Sequence, residues 1–186
     1  MELWDLYTED REKTGLTHPR GEKMPKGYCR LSVHICIFNE KHEMLIQQRQ
    51  PFKESWSGMW DLTVGGSAVA GEDSRTAAHR ELMEEIGLAH DFSHDRPALT
   101  WHYSTGFDDI YILHAEPDLA SLTLQEEEVQ AVRWADEAEI CRLIREGQFI
   151  AYPECLIGTL FFLRDHRGMH EKSDSTVRQP RPGTEK

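Results

Sequence analysis

From Gly65 to Leu88 the chain carries the feature that most narrows its fold. A glycine pair closes a short apolar segment, and a helical stretch follows with acids on one side and aliphatics on the other. Glu81, Glu84 and Glu85 are three and four residues apart, so they project from one side of a helix. Ala78, Leu82 and Ile86 recur at steps of four on the opposite side, a stripe that needs a sheet to pack against. The carboxylates make a different demand. Like charges at these spacings cost an isolated helix a few tenths of a kcal/mol per pair, and acids near the C-terminal end oppose the helix dipole. A divalent cation relieves both penalties. Magnesium, a hard ion that favours carboxylate oxygen and keeps several waters, is the natural candidate, with manganese as the alternative.

Around this stretch the hydrophobic pattern predicts alternating strands and helices. Leu31–Phe38 reads as a buried strand and Met44–Arg49 as a second, joined by the turn at Asn39–His42 into a hairpin. Met59–Val64 reads as a short strand ending at Gly65-Gly66, and a helix runs from Asp73 to Ile86 with Gly87 as its C-terminal cap. Further strands are expected near 97–104, 108–115 and 129–134, and helices over 136–146 and 153–166, the last with a stripe of Leu156, Ile157, Leu160, Phe161 and Leu163. The fold class is therefore α/β, a sandwich around a mixed sheet. Residues 1–27 are polar and turn-rich and read as an N-terminal extension of one or two short strands, 28–166 as the main domain, and 167–186 as a disordered tail.

Net charge is -12, which disfavours a sequence-independent nucleic-acid binder, because phosphate contacts need clustered Lys and Arg. It does not disfavour a phosphorylated small molecule held through a metal. No apolar run approaches the roughly 20 residues that span a bilayer, and the first residues lack the pattern of a signal peptide, so the expectation is a cytoplasmic protein with no membrane partner. Cys29, Cys36, Cys141 and Cys155 form no CxxC pair and are expected to be reduced, buried small hydrophobes. Trp56, Trp60, Trp101, Tyr103, Phe107 and Tyr111 are the candidates for a stacking platform, though each is individually better suited to core or loop packing. His79 is expected to be an exposed helix residue.

Gly66, Glu72, Arg80-Glu81-Leu82, Glu84-Glu85 and Gly87-Leu88 together fit the pattern G-x5-E-x7-R-E-U-x-E-E-x-G-U, with U aliphatic. At ordinary residue frequencies such agreement arises by chance with odds on the order of 10⁻⁹ per starting point. The segment resembles the signature of the Nudix hydrolases, and the flanking strands extend the resemblance over roughly 28–165. The resemblance implies an α/β/α sandwich and magnesium-dependent attack of water on a small-molecule diphosphate, of nucleoside diphosphate type or related. By position, Glu81, Glu84 and Glu85 match the main metal ligands and Glu72 an acid that meets the metal or Arg80. Arg80 matches the arginine that orients the glutamates, and Gly66, beside Gly65, the glycine that lets the loop approach the metal. The general base of such enzymes usually lies in a later loop, where Glu126-Glu127-Glu128 precedes a strand. If that segment is extended, Glu126 and Glu128 point toward the metals and Glu127 away; Glu72, Asp108 and Asp109 come next as candidates. Families of this kind commonly form homodimers, and the sequence leaves the oligomeric state open, as it does the identity of the diphosphate.

Two rivals have specific features to meet. Leu45–Arg49 and the Glu126/Glu128 spacing resemble isopentenyl-diphosphate isomerase, which uses the same fold to move a double bond. That enzyme's catalytic cysteine falls on Gly65, its metal-binding histidine on Ser67, and its other histidine near Cys29 or Arg30, so the machinery for isomerisation is missing. A non-catalytic nucleotide-sensing module tends to lose the box carboxylates, and here they are intact.

Overall fold

The computed structural model describes residues 2–166, and the expected disordered tail at 167–186 lies outside them. The central strand is β3 (Arg30–Phe38), with the N-terminal strands β1 (Leu3–Tyr7) and β2 (Lys13–Pro19) before it. Its side chains alternate: Leu31, Val33, Ile35 and Ile37 join one buried cluster, Cys36 and Phe38 a second on the other face. Burial on both faces suits a parallel partner. In full, the strands after β3 are β4 (Met44–Arg49), β5 (Trp60–Asp61), β6 (Val64–Ser67), β7 (Leu99–Tyr103), β8 (Gly106–His114) and β9 (Val129–Ala135). β8 pairs parallel with β3 from Arg30–Gly106 to Phe38–His114, and β7 lies antiparallel on its outer side.

The expected β3–β4 hairpin holds at one pair only, Phe38–Met44. Beyond it the strands part, and residues 60–67 fill the fork: β5 pairs with β4, and β6 with β3. Thr63 sits between them, wholly buried, its hydroxyl accepting from the Ile37 amide at 3.0 Å and donating to the Leu45 carbonyl. One side chain thereby satisfies backbone groups that the open fork would leave bare. Met59–Val64 is thus two short strands rather than one, and Gly65-Gly66 lies inside β6 rather than ending a strand. β9 pairs antiparallel with the free side of β4.

Helices cover both faces, as the sandwich class requires. α1 (Ser74–Ile86) packs on the Val33 face, capped by the Asp73 side chain, which accepts from the Thr76 amide at 2.8 Å, and closed by Gly87 at φ 68°. α2 (Glu137–Arg145) and α3 (Glu154–Asp165) cover the Cys36 face, where Leu156, Ile157, Leu160 and Phe161 are buried. Leu163 is only half-buried. Cys29, Cys36 and Cys141 are buried as expected; Cys155, on the first turn of α3, is exposed, because the buried stripe of that helix begins one residue later at Leu156. No described helix is long and apolar enough to cross a membrane.

The β1–β2 hairpin docks on the α1 side. Trp4, Leu6 and Tyr7 are buried, the Tyr7 ring meets Phe107 edge-on at 5.2 Å, and Tyr7 and Cys29 exchange backbone hydrogen bonds of 2.8 Å. From the hairpin turn, Arg11 donates to both oxygens of Asp109 at 2.9 and 2.7 Å. Burial alone would raise the Asp109 pKa, but the Arg11 and Thr100 bonds outweigh it and hold the carboxyl below its usual range. A lowered carboxylate pKa stabilises the fold above the unfolded value near 3.9, and that contribution is lost as pH falls through the folded value. Arg11→Ala is expected to cost about 2 kcal/mol by denaturant unfolding at pH 7, less than a fully buried pair because Arg11 stays 39% exposed. The deficit should shrink as the pH falls below about 4; a deficit that persists undiminished would assign the loss to packing on Phe107 instead.

Candidate active site

β6 runs beneath α1 so closely that side chains are excluded. A Cβ on Gly66 would stand 1.9 Å from Glu81 Oε1, and one on Gly65 would meet the His34 ring at 2.4 Å on the other face of the strand. Glu81 and Glu85 occupy the inner side of α1 with exposures of 7% and 4%, although both are acids. Burial lifts both pKa values, and for Glu85 the neighbouring Glu81 charge adds to it against the Gln47 bond, reaching about 8. Gln47 Nε2 donates to Glu85 Oε2 at 2.8 Å, and Glu85 has no ion-pair partner among the described residues. Glu84, on the same side of the helix, is exposed.

Arg80 organises the acids. Its Nε and Nη2 grip Glu72 at 2.8 and 3.0 Å, Nη2 also donates to the Ser67 carbonyl at 3.1 Å, and Nη1 reaches Glu81 and Glu84, each at 3.0 Å. The Glu72 bond is the main reason its pKa lies even above the usual arginine value. Glu72 Oε2 also accepts from the Val69 amide at 2.9 Å. Both Glu72 oxygens are thus engaged, by Arg80 and by the Val69 amide.

These groups form one wall of a cleft of about 600 Å³. Arg20, Arg49, Phe52, Lys53, Glu127 and Glu128 belong to its other walls. The acidic run Glu126–Glu128 is a turn, since the amides of Glu128 and Val129 both bond the Gln125 carbonyl, at 3.0 and 2.8 Å. The alternation of an extended segment therefore does not apply: Glu127 and Glu128 line the cleft and Glu126 does not. Lys53 donates to Glu128 Oε1 at 2.6 Å. Asp109 is taken by Arg11, and Asp108 pairs with His34 at 2.6 Å, so neither reaches the cleft. Of the six aromatics considered from sequence, Phe107 and Tyr111 are core and none lines the cleft; its aromatic is Phe52, 68% exposed. His79 is exposed, as expected. Gln47 and Arg49 enter the sequence reading only within Leu45–Arg49, with no role at the site, and Arg20 and Lys53 not at all; only the fold brings the four to the acids.

The NUDIX domain family model matches residues 29–155. The chain belongs to the Nudix hydrolase family. A Nudix hydrolase of Listeria innocua is 45% identical over 170 residues, covering 91% of this chain and 99% of the relative. The crystal structure of a Deinococcus radiodurans protein superposes with a TM-score of 0.71 at 21% identity, covering 86% and 99% of the two chains, which speaks for the fold. An isopentenyl-diphosphate Delta-isomerase of Pectobacterium atrosepticum is 35% identical over 83 residues, only 45% of this chain and 46% of the relative.

The residues fit a divalent cation of the open kind. Gly66 leaves room at Glu81 that a Cβ would fill, and Glu85 is a nearly buried acid without a counter-charge among the described residues. Among the described residues no three His, Cys, Asp or Glu side chains enclose an ion by themselves. Magnesium keeps several waters and is commonly completed by substrate phosphate, so it needs few protein carboxylates. The two glycines separate the roles. Gly66→Ala displaces the end of the Glu81 side chain and should lower turnover at least ~10²-fold, equivalent to about 2.7 kcal/mol, with a near-native melting temperature. Gly65→Ala pushes on the half-buried His34 ring and should lower the melting temperature instead; the reverse pattern in the two melting curves would contradict this geometry.

Proposed function

We propose that this Nudix hydrolase cleaves the diphosphate linkage of a small molecule, using magnesium or manganese bound by Glu81, Glu84 and Glu85. The observation that carries the reading is Glu85: an acid 4% exposed, beside Glu81, with an amide but, among the described residues, no cation to balance it. Keeping so buried a carboxylate ionised without a counter-charge costs more than a fold would sustain for stability alone. A bound divalent cation would supply charge neutralisation for the phosphate and a water of lowered pKa.

The chain's own groups then divide the work. Arg80, fixed by Glu72 and the Ser67 carbonyl, holds Glu81 and Glu84 in place. Gln47 fixes the Glu85 carboxylate from the sheet side. Arg49 and Lys53, on the loop side of the cleft, are suited to neutralise diphosphate oxygens. Glu128 is the favoured general base, being a carboxylate at the cleft on a turn that Gln50 ties to its own loop, its amide donating to the Glu128 carbonyl at 3.0 Å. When a phosphate draws Lys53 away, Glu128 is left free to accept the proton of the attacking water. The isomerase reading lacks its acid, since Gly65 and Ser67 stand at the key positions, and a sensing module tends to lose the box acids that this chain keeps.

Glu85→Gln should lower magnesium-dependent phosphate release from a diphosphate library at least ~10²-fold, and chelator should abolish the wild-type activity; full activity of the variant would remove the metal assignment. Glu128→Gln should lose activity on a similar scale, while Glu126→Gln stays within about twofold of wild type. Equal losses at the two positions would mean that the turn rearranges around substrate. With isopentenyl diphosphate and magnesium, purified protein should yield no dimethylallyl diphosphate, and its formation would favour the isomerase.

A further inference from the structure

The β1–β2 hairpin precedes the segment matched by the family model, yet it supplies two cleft residues, Glu2 and Arg20. It is bound to the loop that leads into α1 at three points. The Leu3 carbonyl accepts from the Ala70 amide at 2.7 Å, Asp5 Oδ2 from the Gly71 amide at 2.9 Å, and Lys13 Nζ donates to the Glu72 carbonyl at 2.9 Å. The Arg20 amide bonds the Glu2 carbonyl at 2.9 Å, which fixes the backbone from which the arginine extends. The hairpin is thus attached to the same loop that positions the box glutamates, and it delivers one guanidinium to them.

Arg20 differs from the other cleft arginine whose bonds are complete. Arg80 is engaged by Glu72, Glu81, Glu84 and the Ser67 carbonyl. Among the described residues Arg20 makes one side-chain bond, from Nη1 to Glu2 Oε2 at 2.5 Å, and its side chain is 50% exposed. A guanidinium presents five N–H donors in a planar fork, so most of this one is open to a ligand. After the Glu2 bond, the charges of Glu81 and Glu128 also favour its cationic form, which puts it within electrostatic reach of both sides of the acidic centre. The cleft itself, at about 600 Å³, is larger than a diphosphate alone fills, and Phe52 is the one apolar side chain among the described residues that line it. A hydrocarbon chain would find little to bury against there, whereas a polar, anionic scaffold would meet a fork suited to bidentate phosphate contacts.

We propose that Arg20 binds a second phosphate of the substrate, so that the preferred substrates are diphosphates whose polar scaffold also carries a phosphate monoester away from the scissile linkage. The inference rests on the reading of the site as a diphosphate hydrolase. In the reaction, water oxygen bonds to the terminal phosphorus, the bridging P–O bond breaks, and inorganic phosphate leaves; the second phosphate is retained on the scaffold. Glu2 holds the Arg20 guanidinium at the cleft and yields it when the stronger anion arrives.

The test compares adenosine 3′-phosphate 5′-diphosphate with ADP, both with magnesium, by chromatography of the nucleotide products for wild type, Arg20→Ala and Arg20→Lys. Wild type should favour the 3′-phosphorylated probe at least tenfold in kcat/KM, mainly through KM. The preference should collapse toward one in Arg20→Ala and return in part in Arg20→Lys. Equal kcat/KM for the two probes, or a preference that survives Arg20→Ala, overturns the role of Arg20 while leaving diphosphate hydrolysis standing. Failure of wild type to cleave either probe, together with no phosphate release across the diphosphate library, overturns the hydrolase reading and this inference with it.

Discussion

The structure depends on the burial of two like charges side by side. Glu81 and Glu85 lie on the inner side of α1, nearly out of water, with an aliphatic face behind them and a glycine strand in front. Ionising both in that position works against the fold, and the raised pKa of Glu85 expresses this. The surrounding architecture makes the arrangement tolerable. Asp73 and Gly87 pin the ends of α1, Arg80 compensates Glu81 and Glu84, and Gln47 satisfies one oxygen of Glu85. What remains uncompensated is the charge that a divalent cation would neutralise.

The fork between β3 and β4 is what brings the glycines beneath those acids. Thr63 props the fork open, so β6 enters beside β3 and Gly66 comes to rest against Glu81. On the far face of the same strand, His34 fills the space opposite Gly65. Burial opposes its protonation, but Asp108, Asp61 and Glu85 prevail and raise its pKa to about 9. Tyr152, from the segment between α2 and α3, donates to Asp61 at 2.9 Å and lies 3.3 Å from His34 Nε2. Asp61 in turn stands 3.8 Å from Arg49, a residue of the cleft wall. A polar network thus links the helices on the Cys36 face to a cation on the opposite, functional side.

Much of this was legible in the residues, and the failures have physical causes. The α1 helix, its caps and its two-sided character follow from contacts three and four residues apart, which a sequence displays directly. The fork does not, because Thr63 earns its place through the Ile37 amide and the Leu45 carbonyl, distant in the chain. The acidic run at 126–128 would alternate if it were extended, but Gln125 closes it into a turn, which exchanges the places of Glu126 and Glu127 relative to a strand. Glu72 reads as an acid that meets either the metal or Arg80, and the bonds to Arg80 are the part the fold displays. The basic side of the cleft was invisible, since Arg20, Arg49 and Lys53 belong to three separate segments.

The central claim is that the acids of α1 hold a divalent cation against the β6 glycines. Anomalous scattering from manganese-soaked crystals tests it without reference to turnover. The account predicts a peak bonded to carboxylate oxygens of Glu81 and Glu85, at about 2.0–2.3 Å as expected for such hard ions, and its loss in Glu85→Gln. A peak at another set of residues, with none beside Glu81 and Glu85, would contradict it.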